Sequence, residues 1–160
     1  TMKTNFLFPN SWKKIGWIIF IPSLIGAILL SMNFEVFSQI LKIKVFALVE
    51  IQLFDNQNYF KIIENHIIDE IILIGIIVGG ILIGFSKLKN EDEFISKIRY
   101  ESLVWATYFN YLLIIIFTTL LYGFTFLNVV FYNLFTLLLF FIIRFHYQIY
   151  KLNKFNSDEE

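Results

Sequence analysis

Residues 87–113 read KLKNEDEFISKIRYESLVWATYFNYLL, and this stretch passes from charged residues into an apolar run. Most of its charged side chains lie at 87–99, whereas residues 102–122 contain none. An apolar helix of about 20 residues is long enough to cross a bilayer core of roughly 30 Å. The stretch therefore predicts a helix that begins in water and continues through a membrane.

The composition of the whole chain agrees with this prediction. Apolar residues make up 58% and charged residues 16% of the 160 residues, whereas average soluble domains have about 45–50% and about 25%. The formal net charge is zero, so the basic face typical of a nucleic-acid binder is not indicated. The chain has no Cys, which excludes disulfides, thiolate metal ligands and cysteine nucleophiles.

Four segments are long and apolar enough to cross a membrane. They cover residues 15–32, 67–85, 102–122 and 126–145. A soluble protein with four core helices is the alternative, but each of its helices would carry a polar face, and these segments do not. We therefore expect an all-α integral membrane protein, a single membrane domain over residues 1–160 that forms a four-helix bundle, with an outer loop at 33–66.

A cleaved signal peptide is the alternative for the first span, because Lys13 and Lys14 precede it. Its apolar stretch is longer than the usual 7–15 residues or so, and no small-residue cleavage motif follows. We therefore expect a retained membrane anchor. Since Thr1 precedes Met2, we also expect Met2 to be the natural start.

The basic residues set the expected orientation, because cytoplasmic loops of membrane proteins carry an excess of Lys and Arg. With four spans and both termini inside, ten of the 13 basic residues face the cytoplasm. The three on the outer side are Lys42, Lys44 and Lys61. The sequence thus predicts a multi-pass protein with cytoplasmic N and C termini.

The second span carries two pairs of glycines at GxxxG spacing, Gly75 with Gly79 and Gly80 with Gly84. At about 100° per residue, the two pairs lie on helix faces roughly 140° apart. Small residues allow helices to approach closely in lipid, so each face is expected to pack against a different neighbour. We therefore place the second span in the centre of the bundle.

The other spans offer weaker packing signals. On the first span, Ser23, Ala27 and Ser31 form a ridge of small residues at helical spacing. Asn110 in the third span is expected to bond across the following hairpin, at the depth of Thr136, because amides in lipid seek partners. The fourth span is rich in Phe, which suggests a surface facing lipid or another copy of the chain.

The outer loop contains a pattern with a period of two. Small and branched apolar side chains recur at every second position of residues 42–53, which is typical of a half-buried strand. The sequence DNQN at 55–58 favours a turn, so residues 59–63 are expected to pair back as a β-hairpin. A helix over the same residues is the alternative.

His66, Asp69 and Glu70 have the spacing i, i+3, i+4, which would place three possible metal ligands on one side of a helix. A simpler interpretation is favoured, in which Asn65 caps the helix and the acids interact with its dipole. His66 and His146 lie at opposite membrane boundaries, so they do not supply a haem site within one chain. We therefore expect no metal and no cofactor.

The charged segment at 90–101 has the features of a helix that starts at the cytoplasmic surface. Asn90 is the predicted N-cap, with Glu93 at the third helical position of a capping box. Glu93 and Lys97 are expected to form a pair at i, i+4, and the helix is expected to continue to residue 122. Such a helical extension is also a candidate surface for docking a partner. The candidate docking residues are Phe94, Lys97, Ile98 and Arg99.

Three stretches add a resemblance to a known family. They are KKIGWIIFIP at 13–22, EDEFISKIRYESLVWATYFNY at 91–111 and FIIRFHYQIY at 141–150. With them, the chain resembles a family of small, uncharacterised multi-span bacterial membrane proteins over most of its length, the outer loop excepted. The resemblance implies a location in the bacterial cytoplasmic (inner) membrane, and it implies no activity and no catalytic residues.

Three functions are compatible with these features. The favoured one is a non-enzymatic protein that binds a protein partner or a second copy of itself, as a sensor, assembly factor or regulatory subunit. The central parts of the spans lack the ionisable residues that mark ion pathways, and the chain contains no recognised catalytic motif.

The two alternatives each depend on a small set of polar residues. The first is an oligomeric transporter or channel, with a path lined by Asn110, Tyr111, Thr118 and Asn133. The second is a membrane enzyme at the inner interface that uses Glu91, Asp92, Glu93 or His146. The first requires a hydrated path, and the second requires its residues to converge in one pocket.

Overall fold

The computed structural model of the chain describes residues 6–32, 42–50, 58–89 and 91–158. Over these residues it contains four helices and one β-hairpin. In chain order they are α1 (Asn10–Ser31), β1 (Lys42–Glu50), β2 (Asn58–His66), α2 (Ile68–Gly84), α3 (Glu93–Leu120) and α4 (Phe124–Asp158). Gly123, with a φ of 68°, makes the turn between α3 and α4 in a conformation that glycine adopts at little cost.

Among the described residues, α1, α3 and α4 are long and apolar enough to cross a membrane. The predicted second span forms α2, which has 17 residues and is about 26 Å long at the usual helical rise. That length is slightly below the bilayer core of roughly 30 Å. The expected apolar helices are thus confirmed at membrane length for three segments, while α2 is shorter.

The long helices carry much of their apolar surface on the outside of the chain. Ile18, Tyr108, Ile115, Leu134 and Ile143 are each more than half exposed. Monomeric soluble proteins rarely expose contiguous apolar patches larger than a few hundred Å². A surface of this kind is suited to contact with lipid.

The β-hairpin predicted for the outer loop is present, so the helical alternative is wrong. β1 and β2 pair antiparallel, from Lys42 opposite His66 to Glu50 opposite Asn58. β2 is longer than predicted, because it continues to His66. Residues 51–57, which include the end of the predicted strand and most of the predicted turn, lie outside the described residues.

The chain divides into two compact units, residues 1–20 with 76–160 and residues 21–75. The second unit holds the end of α1, the hairpin and the start of α2. Within it the helices approach closely at Gly26, where an added Cβ would lie 2.8 Å from the Ile72 side chain. The first unit contains the charged residues at the start of α3 and the end of α4.

In the first unit, α2 packs against two helices through two faces. A Cβ added at Gly79 would lie 2.9 Å from the backbone nitrogen of Phe20 on α1. On the other face, Cβ atoms added at Gly80 and Gly84 would overlap the side chains of Leu138 and Phe141 on α4. The spacing of the glycines predicted two neighbours without identifying them, and in the first unit these positions are occupied by α1 and α4. Gly75 is half-buried.

The packing role predicted for the small-residue ridge on α1 stays a prediction. Ser31 is exposed and its hydroxyl donates to the Ile28 carbonyl of its own helix, while Ser23 and Ala27 are half-buried. In the first unit, α1 approaches α2 closely at Gly16, where an added Cβ would lie 3.0 Å from the Gly79 carbonyl oxygen. A single glycine has no repeated spacing, so the sequence pattern did not reveal it.

Candidate functional site

The charged segment folds into a capped helix start, but the cap is not the predicted one. Asp92 is the N-cap of α3, and its carboxylate accepts a hydrogen bond of 2.7 Å from the Ile95 backbone nitrogen. Asn90 lies outside the described residues. Glu93 is therefore the first residue of the helix rather than the third, and the predicted capping box is wrong.

Glu91 lies just before the helix and forms a buried ion pair with Arg99. Both carboxylate oxygens accept from the guanidinium, and the Nη2–Oε2 distance is 3.1 Å. The Leu88 backbone nitrogen also donates to Glu91 at 2.8 Å. The side chains of Arg99 and Glu91 are only 7% and 17% exposed, so the pair is largely removed from water.

Arg99 connects three parts of the first unit. Besides Glu91, its Nη2 donates to the Ser86 carbonyl at 3.3 Å. Its guanidinium also lies over the Phe145 ring on α4, 4.9 Å from the centroid. Arg99 therefore does not belong to the exposed docking surface predicted for this helix, because it is buried and its charge is already paired.

The segment before α1 is tied to the same region. The Phe8 nitrogen donates to the Phe85 carbonyl, and the Lys87 nitrogen donates to the Phe8 carbonyl, both at 2.9 Å. The Asn10 side chain adds a bond of 2.7 Å to the Lys87 carbonyl. The chain around Ser86 is thereby held where its carbonyl meets Arg99. Contacts between segments so far apart in sequence have no periodic pattern, so the sequence did not predict them.

The ion pair changes the acidity of Glu91. Burial by itself raises the pKa of this carboxyl, but the hydrogen bonds from Arg99 and the Leu88 nitrogen and the positive charge of Arg99 outweigh that effect. The pKa of Glu91 is therefore lowered from its ordinary value. The group remains ionised at neutral pH and serves as a structural anion, which is not the protonation behaviour expected of a general acid.

A groove of about 530 Å³ lies between the start of α3 and the end of α4. We call it the α3–α4 groove. Phe94 and Phe155, two of its apolar residues, are more than half exposed. The groove is lined by Phe94, Lys97, Ile98, Glu101, Ser102, Arg144, Gln148, Lys151, Leu152, Lys154 and Phe155. It thus brings together three of the four predicted docking residues.

The groove is positively charged. Lys97, Arg144, Lys151 and Lys154 line it, and Glu101 is the one carboxylate among its described lining residues. The Glu101 carboxylate lies 3.9 Å from the Lys97 ammonium. Lys97 thus pairs with Glu101 rather than with the predicted partner Glu93. The Arg144 guanidinium stacks over the Trp105 ring at 4.5 Å. A ligand of this groove would meet apolar surface flanked by cations.

Asn110 bonds across the α3–α4 pair as expected, with Asn133 as its partner. The two amides exchange hydrogen bonds of 3.4 Å and 3.1 Å. Thr136, the residue expected at the depth of Asn110, donates instead to the Tyr132 carbonyl of its own helix. Asn110, Asn133 and Thr136 all line a small cavity of about 150 Å³. The amide pair is a contact between helices in which each partner satisfies the other.

The residues of the two alternative functions are not gathered into one site. Of the predicted path residues, Asn110 and Asn133 bond to each other, whereas Tyr111 is more than half exposed and Thr118 bonds to its own helix. Of the predicted enzyme residues, Glu91 pairs with Arg99 and Asp92 caps α3. The others are an exposed Glu93 and a half-buried His146 that stacks edge-on against Trp17.

The weak metal candidate is divided between two elements. His66 ends β2, whereas Asp69 and Glu70 are in the first turn of α2, so the helical spacing of the trio does not apply. The His66 side chain lies outside the described part of the structure. Among the residues that are described, no three His, Cys, Asp or Glu side chains form a group that could hold a metal ion.

Comparison with known proteins adds no relative to this geometry. No protein-family model, curated protein or solved structure matches the chain.

Proposed function

We propose that the protein is a non-enzymatic, four-span membrane protein that binds a protein partner through the α3–α4 groove at its cytoplasmic end. The membrane setting is supported by three helices of membrane length. The resemblance described above supports a bacterial cytoplasmic membrane as the location. The binding role rests on one observation, the exposed groove that combines apolar residues with four cations.

The direction of α2 relative to α1 in the first unit supports a fourth span. Phe8, just before α1, pairs with Ser86, just after α2, and Gly16 on α1 lies against Gly79 on α2. The end of α2 is thus beside the start of α1. If α1 crosses the bilayer, this arrangement favours an α2 that returns through it. Its 17 residues fit a bilayer that thins locally, at a modest energetic cost.

The same contacts support cytoplasmic termini. Arg99 near the start of α3 meets Ser86 after α2 and Phe145 towards the end of α4. The charged end of the first unit therefore collects most of the basic residues, which by the positive-inside rule face the cytoplasm. Lys42 and Lys44, which the sequence places between the first two proposed spans, are then proposed to face the outer side.

The chemistry of the groove specifies its partner. Two exposed Phe side chains in water favour an apolar cover, since burying one contributes about 1.5–3 kcal/mol. Lys97, Arg144 and Lys151 flank the groove together with a single carboxylate, and this excess of cations favours negative charge around that cover. An amphipathic helix with an apolar stripe and acidic flanks meets both requirements, in the helix-in-groove mode. We therefore propose an acidic amphipathic segment of another protein as the occupant.

Single-cysteine labelling tests the topology, and the absence of native Cys makes every signal specific. Cysteines replacing Lys97 and Lys44 in separate variants are expected to react with an impermeant maleimide from opposite sides of the membrane. Labelling of both from the same side would contradict the four-span arrangement.

Peptide binding tests the groove. The probe is a 15-residue amphipathic peptide with Leu on one face and Glu on its flanks, and its matched control carries Lys in place of Glu. The acidic peptide is expected to bind the reconstituted protein, and Phe94→Asp with Ile98→Asp is expected to weaken it at least tenfold or so. Fluorescence anisotropy measures both dissociation constants.

Tyr150→Asp is the control variant. Tyr150 is on α4, is 67% exposed against 53% for Phe94, and does not line the groove. It should leave peptide affinity unchanged. Equal binding of acidic and basic peptides, or equal losses in the groove variant and the control, would contradict the proposal.

A further inference from the structure

A second cavity lies at the same end of the first unit, on the side of α4 that faces α1. Its volume is about 430 Å³, within the range of small-molecule sites. We call it the lysine cavity. Its lining comes from the start of α1, the segment before α3, the first turn of α3 and the end of α4. The residues are Asn10, Lys13, Lys14, Trp17, Leu88, Lys89, Ile95, Ile149, Leu152 and Asn153.

The cavity gathers positive charge from two separate segments. Lys13 and Lys14 belong to α1, and Lys89 belongs to the connection between α2 and α3. No carboxylate is among its described lining residues. Glu91, the acid nearest to Lys89 in sequence, already forms an ion pair with Arg99. The three ammonium groups are therefore a concentration of positive charge that the lining itself does not balance.

The remaining lining is apolar or amphipathic. Leu88, Ile95, Ile149 and Leu152 supply aliphatic surface, and Trp17 supplies an indole. Trp is enriched at membrane interfaces, where its ring lies at headgroup depth. Basic cavities between membrane helices on the cytoplasmic side suit anionic lipid headgroups. A headgroup phosphate would meet the lysines, while the acyl chains would continue along the apolar helices.

We infer that the lysine cavity binds the headgroup of an anionic phospholipid. This inference depends on the proposed cytoplasmic location of the charged end, but not on the partner proposed for the α3–α4 groove. It assigns the cavity a ligand whose phosphate compensates Lys13, Lys14 and Lys89. The bound lipid would link α1 to the start of α3 and the end of α4.

Lipid association measured by electron paramagnetic resonance tests the inference. The probes are spin-labelled phosphatidylglycerol and spin-labelled phosphatidylcholine, added to the reconstituted full chain. The wild type is expected to prefer phosphatidylglycerol by about tenfold or more, since each cation near a headgroup changes affinity by about fivefold. Equal association of the two lipids would overturn the inference.

Lys89 and Lys87 provide a matched pair of substitutions. Both are exposed and two residues apart, but only Lys89 lines the cavity. Lys89→Gln is expected to weaken the binding of phosphatidylglycerol about fivefold. Lys87→Gln is expected to weaken it less than about twofold. Lys13→Gln combined with Lys89→Gln should weaken the binding of phosphatidylglycerol about 25-fold, whereas Arg at both positions should preserve that binding. Equal effects at Lys87 and Lys89 would overturn the inference.

Two further measurements distinguish a lipid site from a free-anion site and separate the cavity from the groove. Inorganic phosphate in millimolar excess is expected not to displace the lipid, and displacement would indicate a site for a free anion instead. Peptide binding to the α3–α4 groove is measured in the same samples. Normal peptide binding without lipid preference would reject the lysine cavity alone, and the opposite result would reject the groove alone.

Discussion

Two ion pairs at the start of α3 lie close together in sequence but differ in their surroundings. Arg99 and Glu91 have side chains that are 7% and 17% exposed, whereas Lys97 and Glu101 are 69% and 61% exposed. The first pair has bidentate geometry and further partners in Ser86 and Leu88. The second is a single contact of 3.9 Å. The same kinds of charge thus serve two different purposes within three turns.

The difference shows why proximity in sequence is a poor guide to the strength of an ion pair. An exposed pair is screened by water and contributes about 0–1 kcal/mol. A buried pair can have a small net effect, but removing one partner leaves an uncompensated charge and is costly. Arg99 fixes the relative positions of three segments, whereas Lys97 and Glu101 remain available to a ligand of the groove.

Removing the acid of the buried pair is expected to have the largest effect. Glu91→Ala should lower the free energy of unfolding by about 3–5 kcal/mol, because Arg99 would remain buried without a counter-charge. Reversible unfolding in mixed micelles measures the change. Glu93→Ala is the control, since Glu93 is exposed in the same segment. If Glu91→Ala lowered the free energy of unfolding by less than about 1 kcal/mol, the buried pair would contribute no more than an exposed surface pair does.

Lowering the pH is expected to have the second-largest effect, because it weakens the buried ion pair of Glu91 and Arg99. The folded-state pKa of Glu91 is lowered, so its contribution is fully present above the unfolded-state pKa of about 4.3. That contribution is lost as pH falls through the lower folded-state value. Stability from this group is thus expected to stay level from pH 7 to about pH 5 and to fall below about pH 4.

The variant Glu91→Gln isolates the contribution of this carboxylate to the acid response. It should be less stable than the wild type at pH 7, and the difference should narrow as the pH approaches 3, measured by the same unfolding method. A difference that stays constant over this range would mean that the ionisation of Glu91 does not contribute.

The Asn110–Asn133 pair differs from both ion pairs, because it is a contact between neutral groups. A double-mutant cycle with Asn110→Ala and Asn133→Ala is expected to give a coupling energy of about 1 kcal/mol, the usual size for polar contacts between membrane helices. A coupling as large as the effect of Glu91→Ala would show that burial rather than charge determines the difference between the two ion pairs.

The exposed pair should give the smallest effect. Glu101→Gln is expected to change the free energy of unfolding by less than about 0.5 kcal/mol, because the pair is solvated and Lys precedes Glu on the helix. The same substitution makes the α3–α4 groove more positive, so binding of the acidic peptide should stay equal or tighten. Marked destabilisation would show that the exposed pair also has a structural role.

The sequence predicted the parts of the fold that depend on periodic patterns. Apolar runs indicated the helices, alternation over residues 42–53 indicated the hairpin, and the GxxxG spacing indicated the two packing faces of α2. The partner of Asn110 was expected at nearly the right depth, because a short connection such as the one at Gly123 sets the register of the two helices.

Features that depend on long-range contacts were not predictable. Asn90 and Asp92 are both good N-cap residues, and the contacts of Glu91 with Leu88 and Arg99 favour the later start. The Phe residues of the fourth span suggested an outward surface, but Phe141 and Phe145 are fully buried. Phe141 occupies the space that the missing side chain of Gly84 leaves, a complementarity visible only once the helices are paired.

The bridge between Phe8 and Ser86 has a consequence for biosynthesis. At about 5–20 residues per second, translation needs several seconds to extend from one of these positions to the other. Until then the first helix lacks the strand partner that holds its leading end. The segment around Phe8 therefore lacks its bridge partner until Ser86 has been synthesised, and a truncated product that ends before residue 85 would not form this bridge.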